Sequence, residues 1–189
     1  MNQSRRHENQ LGRLSRFLLM LLRHQPARFP VKLDAQGFAQ LDDVMRVVHA
    51  LPNLRWATLA DIEAVLAMPG PQRLEIVDVG GGSRRIRALY GHSVRKLAYD
   101  PVQPPDRLYV AVSPDAAETI RREGLHLGED AYVHLTDDPT QACAGALREI
   151  PDPLVLIVDA AAAATSGVLF YSPVKSVYLC EEVPPQFIA

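Results

Sequence analysis

Three prolines within five residues, Pro101, Pro104 and Pro105, divide this chain. A proline ring fixes φ and removes a backbone donor, so neither a helix nor a central strand runs through such a segment. It behaves as a stiff connector. The boundary is therefore expected at residues 97–106, with one unit over 1–96 and another over 107–189. A length of 189 residues fits two small domains. A hydrophobic content of 48% gives each of them material for a core.

The first unit reads as helical, then as a hairpin. Residues 1–9 are polar and expected to fray. From Leu11 onward, Leu14, Phe17, Leu18, Leu21 and Leu22 keep the helical period. Pro26 ends that helix and leaves Arg23 and His24 in its last turn. Leu41, Val44, Met45, Val47 and Val48 mark a second helix. Thr58 with Asp61 reads as the N-cap of a third, with Ile62, Val65 and Leu66 as its buried stripe. A strand over 74–79, a Gly80-Gly81-Gly82-Ser83 turn and a returning strand over 85–89 follow. Three short helices and a hairpin are the order of a winged-helix module.

The second unit alternates strands and helices. Strands are expected over 108–112, 132–135, 154–158, 168–171 and 177–179. Ser113-Pro114 supplies N-cap and N1 of a helix that stops at Gly124. Asp138-Pro139 opens another, ending near Glu149. The Ala160–Ala164 run is assigned no function.

Charge is unevenly placed. The chain totals −2, yet residues 1–96 hold 15 of the 20 Lys and Arg and 8 of the 22 Asp and Glu, for +7. Residues 97–189 hold the other 5 and 14, for −9. That segregation points to a polyanion facing the first unit. The longest apolar run, Phe17 to Leu22, is far too short to span a membrane. With no small-residue cleavage site behind Arg5 and Arg6, a cytoplasmic protein is expected. Cys143 and Cys180 form no metal spacing, so reduced thiols and no metal are expected.

Two groups of residues carry chemistry. Arg23 can grip a phosphate through paired hydrogen bonds, and His24 can donate to it or move a proton; a helix C-terminus also attracts both residue types for stability. Alternation along Arg84-Arg85-Ile86-Arg87 sends Arg85 and Arg87 to one face, which suits phosphate binding or a solvated edge strand. Gly91-His92-Ser93 follows, where small and polar groups allow a close approach to a ligand.

With those residues in view, the stretches SRFLLMLLRHQP, LDAQGFAQLDDV and RLEIVDVGGGSRRIRALYGHSV resemble the N-terminal lobe of the RNA 2′-phosphotransferases. GLHLGEDAYVHLTDDP, VLIVDAAAA and GVLFYSPVKSVYLCEEVPPQFI resemble the C-terminal lobe. The match runs colinearly from about Ser15 to Ile188. It implies an α+β fold, a winged-helix-like RNA-binding lobe followed by an ADP-ribosyltransferase-like α/β lobe that binds NAD. It also implies the reaction. An internal 2′-phosphate of RNA attacks the nicotinamide ribose of NAD and expels nicotinamide; a ribose hydroxyl then attacks phosphorus, freeing the RNA and leaving a cyclic phosphate of ADP-ribose.

By that resemblance Arg23, His24 and Arg87 match three members of an Arg-His-Arg-Arg catalytic set. Arg84, Arg85, His92 and Ser93 fall to RNA and phosphate binding, and Tyr109, Ser113 and His134 to NAD. The expected partner is 2′-phosphorylated RNA, tRNA-like in kind, and a monomer is expected. The chain departs from the pattern at several places, among them the strand Leu108-Tyr109-Val110-Ala111-Val112, where Val112 replaces a threonine. Asp130 stands at the fourth arginine, Val110 at a histidine, Pro173 at a serine and Tyr90 at a glutamine. Two further readings therefore stand beside a phosphotransferase: a non-catalytic relative that binds phosphorylated RNA or nucleic-acid ends, and a transferase placing ADP-ribose on terminal phosphates.

Overall fold

The computed structural model describes residues 3–93, 96–128, 131–147 and 150–189. The chain separates into two compact units, 1–97 and 98–189. Both mix helix and sheet, in an α+β arrangement.

In the first unit, helix α1 (Gln3–Leu19) runs directly into a wide turn, Met20–His24. Helices α2 (Leu41–Ala50) and α3 (Leu59–Leu66) follow. Strands β1 (Ala39–Gln40), β2 (Leu74–Asp78) and β3 (Arg84–Ala88) form an antiparallel sheet with β3 in the centre. The leucine period of α1 buries Leu14, Leu18, Leu21 and Leu22 completely, against Val44, Val48, Ile62 and Ile86. The capping box forms as the sequence indicates: Asp61 accepts from the Thr58 N–H at 2.7 Å, and Thr58 accepts from the Asp61 N–H at 3.3 Å. The start of α1 differs from the frayed segment expected. His7 sits 3.7 Å from Asp61 and edge-on to Trp56, which ties the first turns down.

In the second unit, β4 (Pro101–Val102), β8 (Phe170–Val174), β9 (Val177–Cys180) and β6 (Val133–Leu135) form one antiparallel sheet in that order. Strands β5 (Arg107–Val112) and β7 (Leu154–Asp159) form a second. A bridge between Tyr109 and Thr136 joins β5 to β6. Pro101 therefore lies in an edge strand, where its missing donor costs nothing. Helices α4 (Pro114–Glu123), α5 (Pro139–Ala146) and α6 (Ala160–Thr165) begin at Ser113, Asp138 and Asp159 caps. Strand β8 starts at Phe170 rather than Val168, because the Val168 N–H still bonds Ala163 behind α6. No helix among the described residues is long and apolar enough to cross a membrane.

Candidate active site

The wide turn decides where Arg23 and His24 sit. The Gln25 N–H bonds the Met20 carbonyl at 3.0 Å, five residues back, so this turn is π-helical. Such turns frequently mark functional sites. Leu21 and Leu22 are both fully buried, and Pro26 keeps Gln25 out of the helical region. The chain must stop there. Arg23 and His24 are left at the rim, His24 exposed.

Residues 90–93 then fix that pair. The Ser93 N–H donates to the Arg23 carbonyl at 3.2 Å. Ser93 Oγ shares a 2.8 Å hydrogen bond with His24 Nδ1, which leaves Nε2 as the nitrogen for a ligand. The Arg23 guanidinium lies 4.8 Å from the centre of the Tyr90 ring and donates to the Tyr90 hydroxyl. Burial pushes the Tyr90 hydroxyl above its usual pKa, while the charges of Arg23 and Arg73 pull against it. Gly91 has φ 77°, and a Cβ there would lie 3.1 Å from Arg23 Cζ. Only glycine serves both demands. His92 is 3% exposed, packed near Gly37, and so is part of the floor rather than the surface.

The π-turn packs on β3, which carries the other arginines. Ile86 faces the core, and Arg85 and Arg87 share the opposite face over the ring of Phe38, at 4.7 and 4.4 Å. Each also meets a carboxylate. Arg85 Nη1 is 2.8 Å from Asp34 Oδ2, and Arg87 Nε is 2.7 Å from Glu75 Oε2. Arg84, on the other side of the strand, reaches Glu63 at 3.5 Å.

The second unit places its candidates differently. Ser113 Oγ accepts from the Ala116 N–H and caps α4. Tyr109 and Thr136 exchange both backbone hydrogen bonds, so their side chains share a sheet face. His134, two residues from Thr136, lies on that face too. Val110 points the other way, among the apolar residues around Val112, Ala117 and Leu156. Pro173 lies where the β8–β9 register shifts, since it has no donor for the ladder. Asp130 lies outside the described residues. Among those described, no cluster of His, Cys, Asp or Glu could hold a metal.

Residues 9–182 match the model of one protein family, RNA 2′-phosphotransferase, Tpt1 / KptA family. The chain belongs to that family. It is 38% identical over 177 residues to a probable RNA 2′-phosphotransferase of Agrobacterium fabrum, covering 92% of this chain and 91% of the relative. A protein of the same description from Burkholderia lata is 36% identical, with 93% and 89% covered. One from Thermoplasma acidophilum is 28% identical, with 96% and 76% covered. The ordered segments that carried the resemblance are thus those of an RNA 2′-phosphotransferase, an enzyme.

Within this RNA 2′-phosphotransferase, the contributions of Phe38, Asp34 and Glu75 were not apparent from the sequence. For Glu75 a signal was present. Counting back from the glycine turn puts Glu75 directly opposite Arg87, and opposite charges across a ladder attract. Phe38 and Asp34 come from a loop whose approach to β3 no local pattern announces.

Proposed function

We propose that this RNA 2′-phosphotransferase removes an internal 2′-phosphate from RNA by transferring it to ADP-ribose derived from NAD, releasing nicotinamide and an ADP-ribose cyclic phosphate. The observation that carries this reading is the clamp on Arg23 and His24. An arginine and a histidine at the rim of a helix end, one stacked and one tethered, are preorganised for a doubly charged phosphate. Arg87, with Arg85 beside it, extends the cationic face on the strand against which the turn packs. We read this unit as a winged-helix-like RNA-binding lobe and the second unit as ADP-ribosyltransferase-like.

NAD would lie against the polar face of the second unit, where the half-buried Tyr109 and His134 side chains share one side of the sheet and would hold the nucleotide. When bound, NAD supplies the ribose that receives the phosphate and the nicotinamide that leaves. Ser113 Oγ accepts from the helix cap and would offer its hydroxyl proton and remaining lone pair. Arg23 and Arg87 would bind and orient the phosphate. His24, its Nδ1 held by Ser93, would present Nε2 to the same group. A tRNA-like substrate and action as a monomer belong to the same proposal.

The test is incubation of a 2′-phosphorylated oligonucleotide with the protein, with and without NAD, followed by mass analysis. The expected products are the 2′-hydroxyl oligonucleotide and one nicotinamide per phosphate lost. Tight binding of the oligonucleotide with no turnover at any NAD concentration would overturn the catalytic reading.

A further inference from the structure

The positive charge of the first unit is not where the sequence concentrates it. The three arginines of β3 each face a carboxylate: Arg84 with Glu63, Arg85 with Asp34 and Arg87 with Glu75. Four other arginines of this unit lie on α1, at Arg5, Arg6, Arg13 and Arg16. All four are exposed, and none pairs with a carboxylate among the described residues. At about 100° per residue they occupy a single arc of about 100°. The buried Leu14 and Leu18 lie on the far side of the same helix. Solvent-facing arginines scattered at random around a helix would not leave one arc so densely charged.

From this arrangement the geometry points to α1 as a docking surface for the sugar-phosphate backbone of RNA flanking the 2′-phosphate. The assignment rests on the proposed reaction for its phosphate end. Arg5 to Arg16 spans about 16 Å along the axis at 1.5 Å per residue. The same helix continues into the π-turn that carries Arg23 and His24, so the stripe leads along its axis toward the clamp. A polyanion is the occupant that fits an unneutralised cationic stripe: each arginine that meets a phosphate displaces condensed counterions. A protein partner would have to bring a matching row of carboxylates.

The experiment uses Arg13→Gln/Arg16→Gln and Arg5→Gln/Arg6→Gln. Glutamine keeps helix propensity. Affinity for a 12-residue single-stranded RNA, with and without an internal 2′-phosphate, is measured from low to physiological salt. For single strands the slope of log K against log salt should flatten by about 0.7 per lost phosphate contact, hence by about 1.4 in each double variant. In turnover, KM for the 12-residue substrate should rise several-fold while kcat and the KM of a 2′-phosphorylated dinucleotide stay unchanged. An unchanged salt slope would overturn the stripe, as would equal losses on the long and short substrates. If the native protein proved unable to turn over any phosphorylated RNA, the slope on the unphosphorylated strand would still decide the matter. Failure of the reaction and failure of the surface are thereby separable.

Discussion

Glu75 lies directly across the β2–β3 ladder from Arg87 and holds its Nε at 2.7 Å, while the guanidinium stacks on Phe38. The arginine assigned to the phosphate is therefore already engaged by a carboxylate. A phosphodiester, with one negative charge, exchanges for Glu75 at little gain. A phosphomonoester carries nearly two charges at neutral pH and competes better.

Glu75→Gln should remove that competition. Binding of unphosphorylated RNA should tighten about 2- to 5-fold, as expected for a partly exposed pair worth about 0.5–1 kcal/mol. Binding of the 2′-phosphorylated strand should tighten less, so selectivity for the phosphate narrows. Fluorescence anisotropy on a matched pair of oligonucleotides measures both. An undiminished ratio would show that Glu75 does not set selectivity.

Gly91→Ala tests the clamp from the other side. The added methyl meets a backbone at φ 77° and a guanidinium 3.1 Å away. Backbone strain alone costs about 1–2 kcal/mol. Arg23 must also move off Tyr90. The expected outcome is a modest drop in melting temperature and a larger loss of affinity for 2′-phosphorylated RNA than for its unphosphorylated twin. A stability loss with both affinities unchanged would mean that the position of Arg23 is immaterial.

What the sequence discloses follows from the range of each interaction. The caps at Thr58, Ser113 and Asp138 are contacts within three residues, and every one forms. Alternation puts Ile86 inward and Arg85 and Arg87 together, because a strand has only two faces. The π-turn is different: the leucine period places Leu21 and Leu22 inward, but the widening of the turn goes with its packing against β3, some sixty residues on, which no local pattern contains. The shared face of Tyr109 and His134 depends on one bridge between strands β5 and β6, which are separated by a helix. The stack of two arginines on Phe38 depends on a loop meeting a strand some fifty residues later.

Cys180 gives a pH test independent of the site. It is fully buried, and burial, reinforced by Glu182, pushes its thiol up to about 12 from an ordinary 9.0. The folded protein keeps this proton where the unfolded chain has released it. The contribution to stability is thus full below pH 9 and is lost as pH rises from 9 toward 12, by up to about 1.4 kcal/mol per unit. Urea midpoints at pH 8.5 and 10.5 should fall more for the native protein than for Cys180→Ala. Tyr90 and Tyr178, also raised mainly by burial, act equally in both proteins and cancel. A thiol reagent should modify the half-buried Cys143 first, and Cys180 only on unfolding. Parallel pH slopes would show that the thiol ionises freely in the fold.

Ser93 is a positioning residue by geometry, since its hydroxyl meets His24 Nδ1 at 2.8 Å and its N–H meets the Arg23 carbonyl. Removing the hydroxyl leaves the backbone tie intact, so Ser93→Ala isolates its effect on the imidazole. Without that partner the ring loses its fixed tautomer and orientation, and Nε2 presents to the phosphate for a smaller fraction of the time. A neutral hydrogen bond is worth about 0.5–1.5 kcal/mol, so kcat/KM should fall about 2- to 12-fold. Ser93→Thr keeps the oxygen and should recover most of the loss. A merely structural serine would lower stability with kcat/KM of the folded protein unchanged, and threonine would then rescue the fold without any kinetic signature. Equal activity in Ser93→Ala would instead mean that the His24 ring is held by the protein around it, with the hydroxyl a bystander.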